Sequence, residues 1–191
     1  NNYVNVQNPE RDMAAMEIST KALYGNLDRA MELMEELILT SHVQDTRRLK
    51  EILAENNSRM QEYMLAAGHS VAISRALSYG DARYALNEEL SGISQYRLTL
   101  SLEKEYDDKK ELLAQRLETL CRMIFRPENL MVDFTGDSKA FENLEPVVAR
   151  LKEKLYTCEV RKERYVPEVS KKNEGFMTPG QVQYVCRAGN F

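Results

Sequence analysis

From Leu27 to Ile124 apolar residues return at helical spacing with few interruptions, and this run limits the fold more than any other feature of the chain. Leu27, Ala30, Met31, Met34, Leu37 and Ile38 place an apolar stripe on a first helix, with Glu32, Glu35 and Glu36 between them. Asn26 is a good N-cap for it. After a break at 40–44, Asp45 can cap a second helix whose face is Leu49, Ile52, Leu53, Met60, Tyr63 and Met64. About twenty residues at 1.5 Å each make it an arm of ~30 Å. Gly68 ends it, where a left-handed turn that glycine adopts cheaply is expected. Val71, Ala72, Ala76 and Leu77 form the next face, and Gly80-Asp81 reads as a turn. A helix over Ala82–Leu90 is interrupted by Ser91-Gly92, and Ile93, Tyr96 and Leu100 resume the pattern. The charge run 103–111 reads as an exposed join. Leu112, Leu113, Leu117, Leu120 and Ile124 then make a strong amphipathic helix, stopped by Arg126-Pro127.

The flanks supply the β-structure. Met16, Ile18 and Thr20 alternate with polar residues, but Met13, Met16 and Leu23 would also fit a helix, so the local pattern leaves 12–24 open. Asn129–Phe134 is short, apolar and β-prone, and reads as a buried strand. Asp137-Ser138 opens a helical stretch, with Pro146 in the first turn of its second part. Residues 165–180, rich in Pro, Gly and Lys, read as a linker, and 181–187 alternates as a strand. The expected class is α+β: a helix-rich domain with a small, mostly antiparallel sheet. The expected organisation is a domain over 1–164, a linker over 165–180 and, over 181–191, the first strand of a truncated following domain. An unpaired strand recruits partners. Residues 181–191 are therefore expected to dock beside Leu130–Phe134 or to pair with a second copy of the chain.

Composition narrows the function classes. The 191 residues are 43 % apolar and 29 % charged, with a net charge of −4, an ordinary globular balance. Charges of both signs are mixed, without the basic stripe of a nucleic-acid binder. No apolar run approaches the ~20 residues of a membrane span, and the first residues resemble neither a signal nor a transit peptide. Cys121, Cys158 and Cys186 are odd in number and far apart, which reads as reduced, partly buried thiols in a cytosol-like compartment.

Catalytic patterns are missing from the sequence. His42 and His69 are 27 residues apart, so they cannot be the i, i+4 pair of a zincin helix, and neither H-E-x-x-H nor H-x-x-E-H occurs. No phosphate loop or nucleophile elbow is present. The carboxylate pairs Glu35-Glu36, Glu88-Glu89 and Asp107-Asp108 read as solvated faces, because adjacent helical residues diverge. His69 reads as a capping or hydrogen-bonded structural histidine. Arg75, Tyr79, Arg83 and Tyr84 could share a helix face; a packed network is the plainer reading, a site for a peptide carbonyl or carboxylate the sharper one. No catalytic, cofactor-binding or metal-binding residue is assigned.

Several blocks carry a resemblance. Ser41–Leu53, with Asp45 ahead of Arg48-Leu49-Lys50-Glu51-Ile52-Leu53, is similar to a segment of insulinase-type (pitrilysin-clan) zinc metallopeptidases of the presequence-protease branch. Ala67-Gly68-His69-Ser70-Val71-Ala72, Arg75-Ala76-Leu77-Ser78-Tyr79, Ser91-Gly92-Ile93 with Tyr96, and Phe125–Leu130 resemble further blocks in the same order. The resemblance runs from about Ile18 to Phe191. It implies a long chain of four related α+β domains, forming two bowl-like halves joined by a helical hairpin around a peptide chamber. In such peptidases an inverted H-x-x-E-H helix and a downstream glutamate hold zinc in the first half. The last domain supplies an arginine and a tyrosine that grip the substrate backbone. This chain matches the third domain and the start of the fourth, and none of those functional residues falls on it. Under the resemblance Met13–Leu23 becomes a strand. The expected function is a non-catalytic chamber-wall segment of a zinc-dependent oligopeptidase, inactive alone. The zinc belongs to the parent, whose other domains and peptide substrate are the partners, in a bacterial cytoplasm or an organelle matrix. The alternative is a stand-alone α+β interaction or scaffold domain.

Overall fold

The structure, a computed structural model, describes the backbone of residues 2–4 and residues 14–161, 163 and 165–189. It is helix-rich. Among the described residues seven α-helices follow two short strands: α1 (Leu27–Thr40), α2 (Thr46–Ala66), α3 (Gly68–Leu77), α4 (Ala82–Ser91), α5 (Ile93–Lys104), α6 (Tyr106–Ile124) and α7 (Ser138–Lys154). Strands β1 (Asn2–Val4) and β2 (Ala14–Met16) pair antiparallel, with Tyr3 opposite Ala15. The chain divides into two compact units. One comprises 1–17, 47–109 and 163–191, and the other 18–46 and 110–162.

In the first unit α4 packs against α3 and α5, and β1 runs beside α4. Local chemistry sets the breaks between these helices. Asp81 caps α4, its carboxylate accepting the Arg83 N–H at 2.8 Å. Gly92 separates α4 from α5 in an extended conformation. Tyr106, at the start of α6, is 2 % exposed, so the charge run expected to be an exposed join holds a buried anchor. Lys50 lies 5.7 Å from the Tyr106 ring centre and pairs with Asp107 at 3.0 Å. Asn57, buried on α2, donates to Glu103 on α5 at 2.5 Å.

The second unit packs α1 against α7. Ala140, Leu144 and Leu151 lie on one face of α7 and are buried, as are Leu155 beyond its end and Ala114 on α6. Asp137 caps α7 by accepting the Ala140 N–H at 2.8 Å. Across the unit Glu35 pairs with Lys154 and lies 3.9 Å from Arg150, and Gln44 donates to Glu118 at 2.8 Å.

Several expectations are corrected. Asn129–Phe134 is not a strand. Pro127 stops α6 and opens a 3-10 turn, and the Asn129 amide donates back to the carbonyls of Met123 (2.9 Å) and Ile124 (3.2 Å). That side chain satisfies the helix end and draws the segment into a turn. Met131 and Val132 are exposed rather than buried. Pro146 lies inside a continuous α7 and opens no new helix. Of Met13–Leu23, Ala14–Met16 is strand and 17–23 has no regular structure, while Met13 lies outside the described residues. Residues 181–189 form no strand, and the edge at Leu130–Phe134 on which they were to dock does not exist; 190 and 191 lie outside the described residues. Gly68 is not left-handed, for no described glycine has a positive φ. The α2–α3 break falls on Ala67, whose N–H still donates to the Tyr63 carbonyl at 2.8 Å.

Candidate functional site

The most densely bonded polar cluster of the first unit centres on Arg75, in the last turn of α3 and 8 % exposed. Buried guanidinium groups need acceptors on every side, and three elements supply them. From α4, Glu88 Oε1 accepts Arg75 Nη1 at 3.0 Å. From α5, the Ser94 hydroxyl oxygen accepts the same nitrogen at 3.0 Å. From the C-terminal segment, Glu174 Oε2 accepts Arg75 Nε at 2.8 Å and lies 2.8 Å from Nη2. The Tyr79 hydroxyl, in the turn after α3, donates to the same Glu174 oxygen at 2.6 Å. One carboxylate thus takes the outward fork of a guanidinium and a phenol together, a charge-assisted arrangement.

The inward half is fixed by α4 and α5. Glu88 is 3 % exposed, and its Oε1 also accepts the Ser94 N–H at 3.2 Å. Gly92 makes room for it, since a Cβ there would fall on the Glu88 carboxylate. The aromatic Phe176, two residues beyond Glu174, lies near two cations. Its ring centre is 5.9 Å from the Arg75 guanidinium carbon and 5.3 Å from that of Arg97.

Protonation follows from these contacts. Glu174 is held below the ordinary carboxylate range, first by the Tyr79 hydrogen bond and then by Arg75, against the opposing effect of burial. Tyr79 is pushed up, first by burial and then by its bond to Glu174. Burial would lower Arg75, but Glu174 and Glu88 together outweigh it and raise the guanidinium above its usual range.

Of the four residues expected to share a helix face, Arg75 and Tyr79 meet at Glu174. Arg83 stands on α4 and turns to Asp81, at 3.1 and 2.7 Å, and holds that carboxyl below its usual range. Glu88-Glu89 is not simply a solvated pair: Glu88 is buried and Glu89 is exposed, accepting from the Tyr165 hydroxyl. A signal for the inward carboxylate was present in the glycine four residues after Glu88. Glu174 carried no such signal, because its role depends on where a non-periodic segment crosses the helices. His69 is exposed on the first turn of α3, 5.7 Å from the Tyr184 ring. The thiols are free, but only Cys121 is half-buried, and burial pushes it up; Cys158 and Cys186 are exposed.

Among the described residues no three His, Cys, Asp or Glu side chains gather as a metal site would require, and no helix is long and apolar enough to cross a membrane. The hollow beside α1 and α7 is lined by Glu32, Glu35, Glu36, Arg150 and Lys154, where Glu35 already faces the two cations.

Residues 2–102 match the family described as "Peptidase M16C associated". The chain is 32 % identical over 189 residues to Protein HypA of Clostridium perfringens, covering 99 % of this chain and 19 % of that protein. It is 26 % identical over 178 residues to presequence protease 1, chloroplastic/mitochondrial, of Arabidopsis thaliana, covering 89 % of this chain and 16 % of the relative. An uncharacterized protein of Borreliella burgdorferi is 27 % identical over 139 residues, covering 72 % and 14 %. The chain thus spans about a fifth or less of the length of these relatives. By the match over residues 2–102, the chain belongs to the peptidase M16C-associated family.

Proposed function

We propose that the chain is a non-catalytic, chamber-wall segment of a zinc-dependent oligopeptidase that degrades peptides. The observation that carries this reading is the alignment of 89 % of the chain with a protein named presequence protease. In this reading the metal and catalytic residues would lie on other domains of the same polypeptide. Those domains, and a peptide held among them, would be the partners. Large exposed apolar residues support the same reading. Leu33 and Leu37 on α1 and Leu112 and Leu120 on α6 are each about half exposed. Such faces suit packing against neighbouring domains.

In this reading 1–164 is the domain proper, with a small antiparallel sheet of the family type, and 165–180 is a connector. Residues 181–191 would be the first strand of the next domain, paired only within that domain's sheet. The compartment would be a bacterial cytoplasm or an organelle matrix.

The test uses the whole gene product that contains this chain. It should hold one zinc, cleave unstructured peptides, and lose cleavage but not zinc when this segment is excised. A product without zinc or peptidase activity would instead make the chain an interaction or scaffold domain.

A further inference from the structure

Residues 165–189 cross α3, α4 and α5 as a strap held by side chains. Among the described residues, no backbone–backbone hydrogen bond joins this stretch to those helices. Its anchors are few: the Tyr165 hydroxyl on Glu89, buried Pro167, Glu174 on Arg75 and Tyr79, Phe176 near Arg75 and Arg97, and Tyr184 against Gly68. Around the anchors Val166, Val169, Met177, Val182 and Val185 stay exposed. A segment with so little buried surface and no ladder bonds opens at low cost.

Part of the surface beneath it is held by contacts that do not involve the strap: Arg75 is bonded from inside by Glu88 and Ser94. Glu174 and Phe176, two residues apart, both reach the Arg75–Arg97 face.

We propose that the Arg75, Tyr79 and Arg97 surface is a binding site for an extended peptide bearing an acidic residue and, two positions on, an aromatic one, and that the chain's own Glu174-Gly175-Phe176 fills it in cis. The acidic side chain takes the Arg75 fork and the Tyr79 hydroxyl, and the aromatic ring lies near the two guanidinium groups. The occupant is a peptide segment in trans that displaces the strap. This inference stands on the chain's own geometry and is independent of the peptidase reading.

The probe is acetyl-Lys-Asn-Glu-Gly-Phe-Met-amide, which reproduces residues 172–177. It is titrated by calorimetry or NMR into the 191-residue chain and into its Glu174→Ala/Phe176→Ala variant. The variant should bind saturably, and the intact chain about tenfold or more weaker, because a tethered competitor acts at an effective concentration on the order of millimolar. Glutamine in place of the probe's glutamate should weaken binding about tenfold, the loss of one charge-assisted contact. Tyr79→Phe in the variant should weaken the glutamate probe more than the glutamine probe, whose uncharged amide oxygen accepts that hydroxyl less strongly. A folded variant that ignores the probe at concentrations on the order of millimolar, or binds both probes equally, overturns the proposal. So does loss of the variant's helical circular dichroism, which would make the strap an integral part of the fold.

Discussion

A Cβ at Gly92 would lie 2.9 Å from the Glu88 Cα and would overlap the Glu88 carboxylate. The backbone there has φ −100° and ψ −158°, which any residue adopts, so the requirement for glycine is one of space. Gly92→Ala must move either the start of α5 or the buried carboxylate that holds Arg75. Overpacking of this kind costs about 1–3 kcal/mol. Urea denaturation should show that loss, and unchanged stability would place Glu88 elsewhere.

Arg75 and Glu88 form a buried pair, their side chains 10 % and 4 % exposed. Removing Glu88 leaves Arg75 with Glu174 as its remaining carboxylate partner. Glu88→Gln should therefore destabilise the chain by about 1–3 kcal/mol, the loss of a buried charge-assisted bond. Replacing both, as Arg75→Met with Glu88→Leu, should recover much of the loss, because the desolvation cost vanishes with the charges. Equilibrium unfolding of the single and double variants measures this directly. If the double variant is as unstable as the sum of the single ones, the two residues are not coupled.

Much of the helical architecture was legible because apolar spacing and breakers agree. The turn at Gly80-Asp81 and the stop at Pro127 each follow from a residue's own local chemistry. What failed depends on distant partners or on a competing side chain. Asn129–Phe134 has the composition of a strand, yet the Asn129 amide caps α6 and, among the described residues, no strand pairs with it. Of the site, Arg75 and Tyr79 were visible as a polar pair at helical spacing. Glu174 lies 99 residues from Arg75 in sequence, and no local period predicts such a contact.

Gly68 illustrates the same limit and gives a different prediction from a left-handed turn. Its constraint is the Tyr184 ring, 3.0 and 3.1 Å from where a Cβ would stand. Tyr184 is 45 % exposed, so the ring can swing outward. Replacing a helical glycine by alanine gains roughly 0.5–1 kcal/mol, which offsets the displaced contact. Gly68→Ala should thus change stability by less than about 1 kcal/mol while shifting the Tyr184 ring resonances. In a Tyr184→Ala background the same substitution should stabilise. A large loss with Gly68→Ala in that background would show that the backbone, and not the ring, demands glycine.

Acid should release the strap before it unfolds the helices. Glu174 titrates below the ordinary carboxylate range when docked, through Tyr79 first and Arg75 second, with Lys172 adding to the effect. The docked state therefore binds fewer protons than the released state between the depressed value and the ordinary one. Docking gains stability as pH rises through that window, keeps it above, and loses it as pH falls through the docked value. Tyr79, raised by burial and by Glu174, limits docking only in alkali, where losing its proton removes the donor. Glu88 also faces Arg75 and remains its partner when Glu174 is neutral. The amide resonance of Gly175 should move toward its unstructured position as pH falls below the carboxylate range, ahead of any loss of helical circular dichroism. In Glu174→Gln that early transition should be absent, with Gly175 already near the released position at neutral pH. An early transition of the same size in Glu174→Gln would assign the acid sensitivity to another group on the strap.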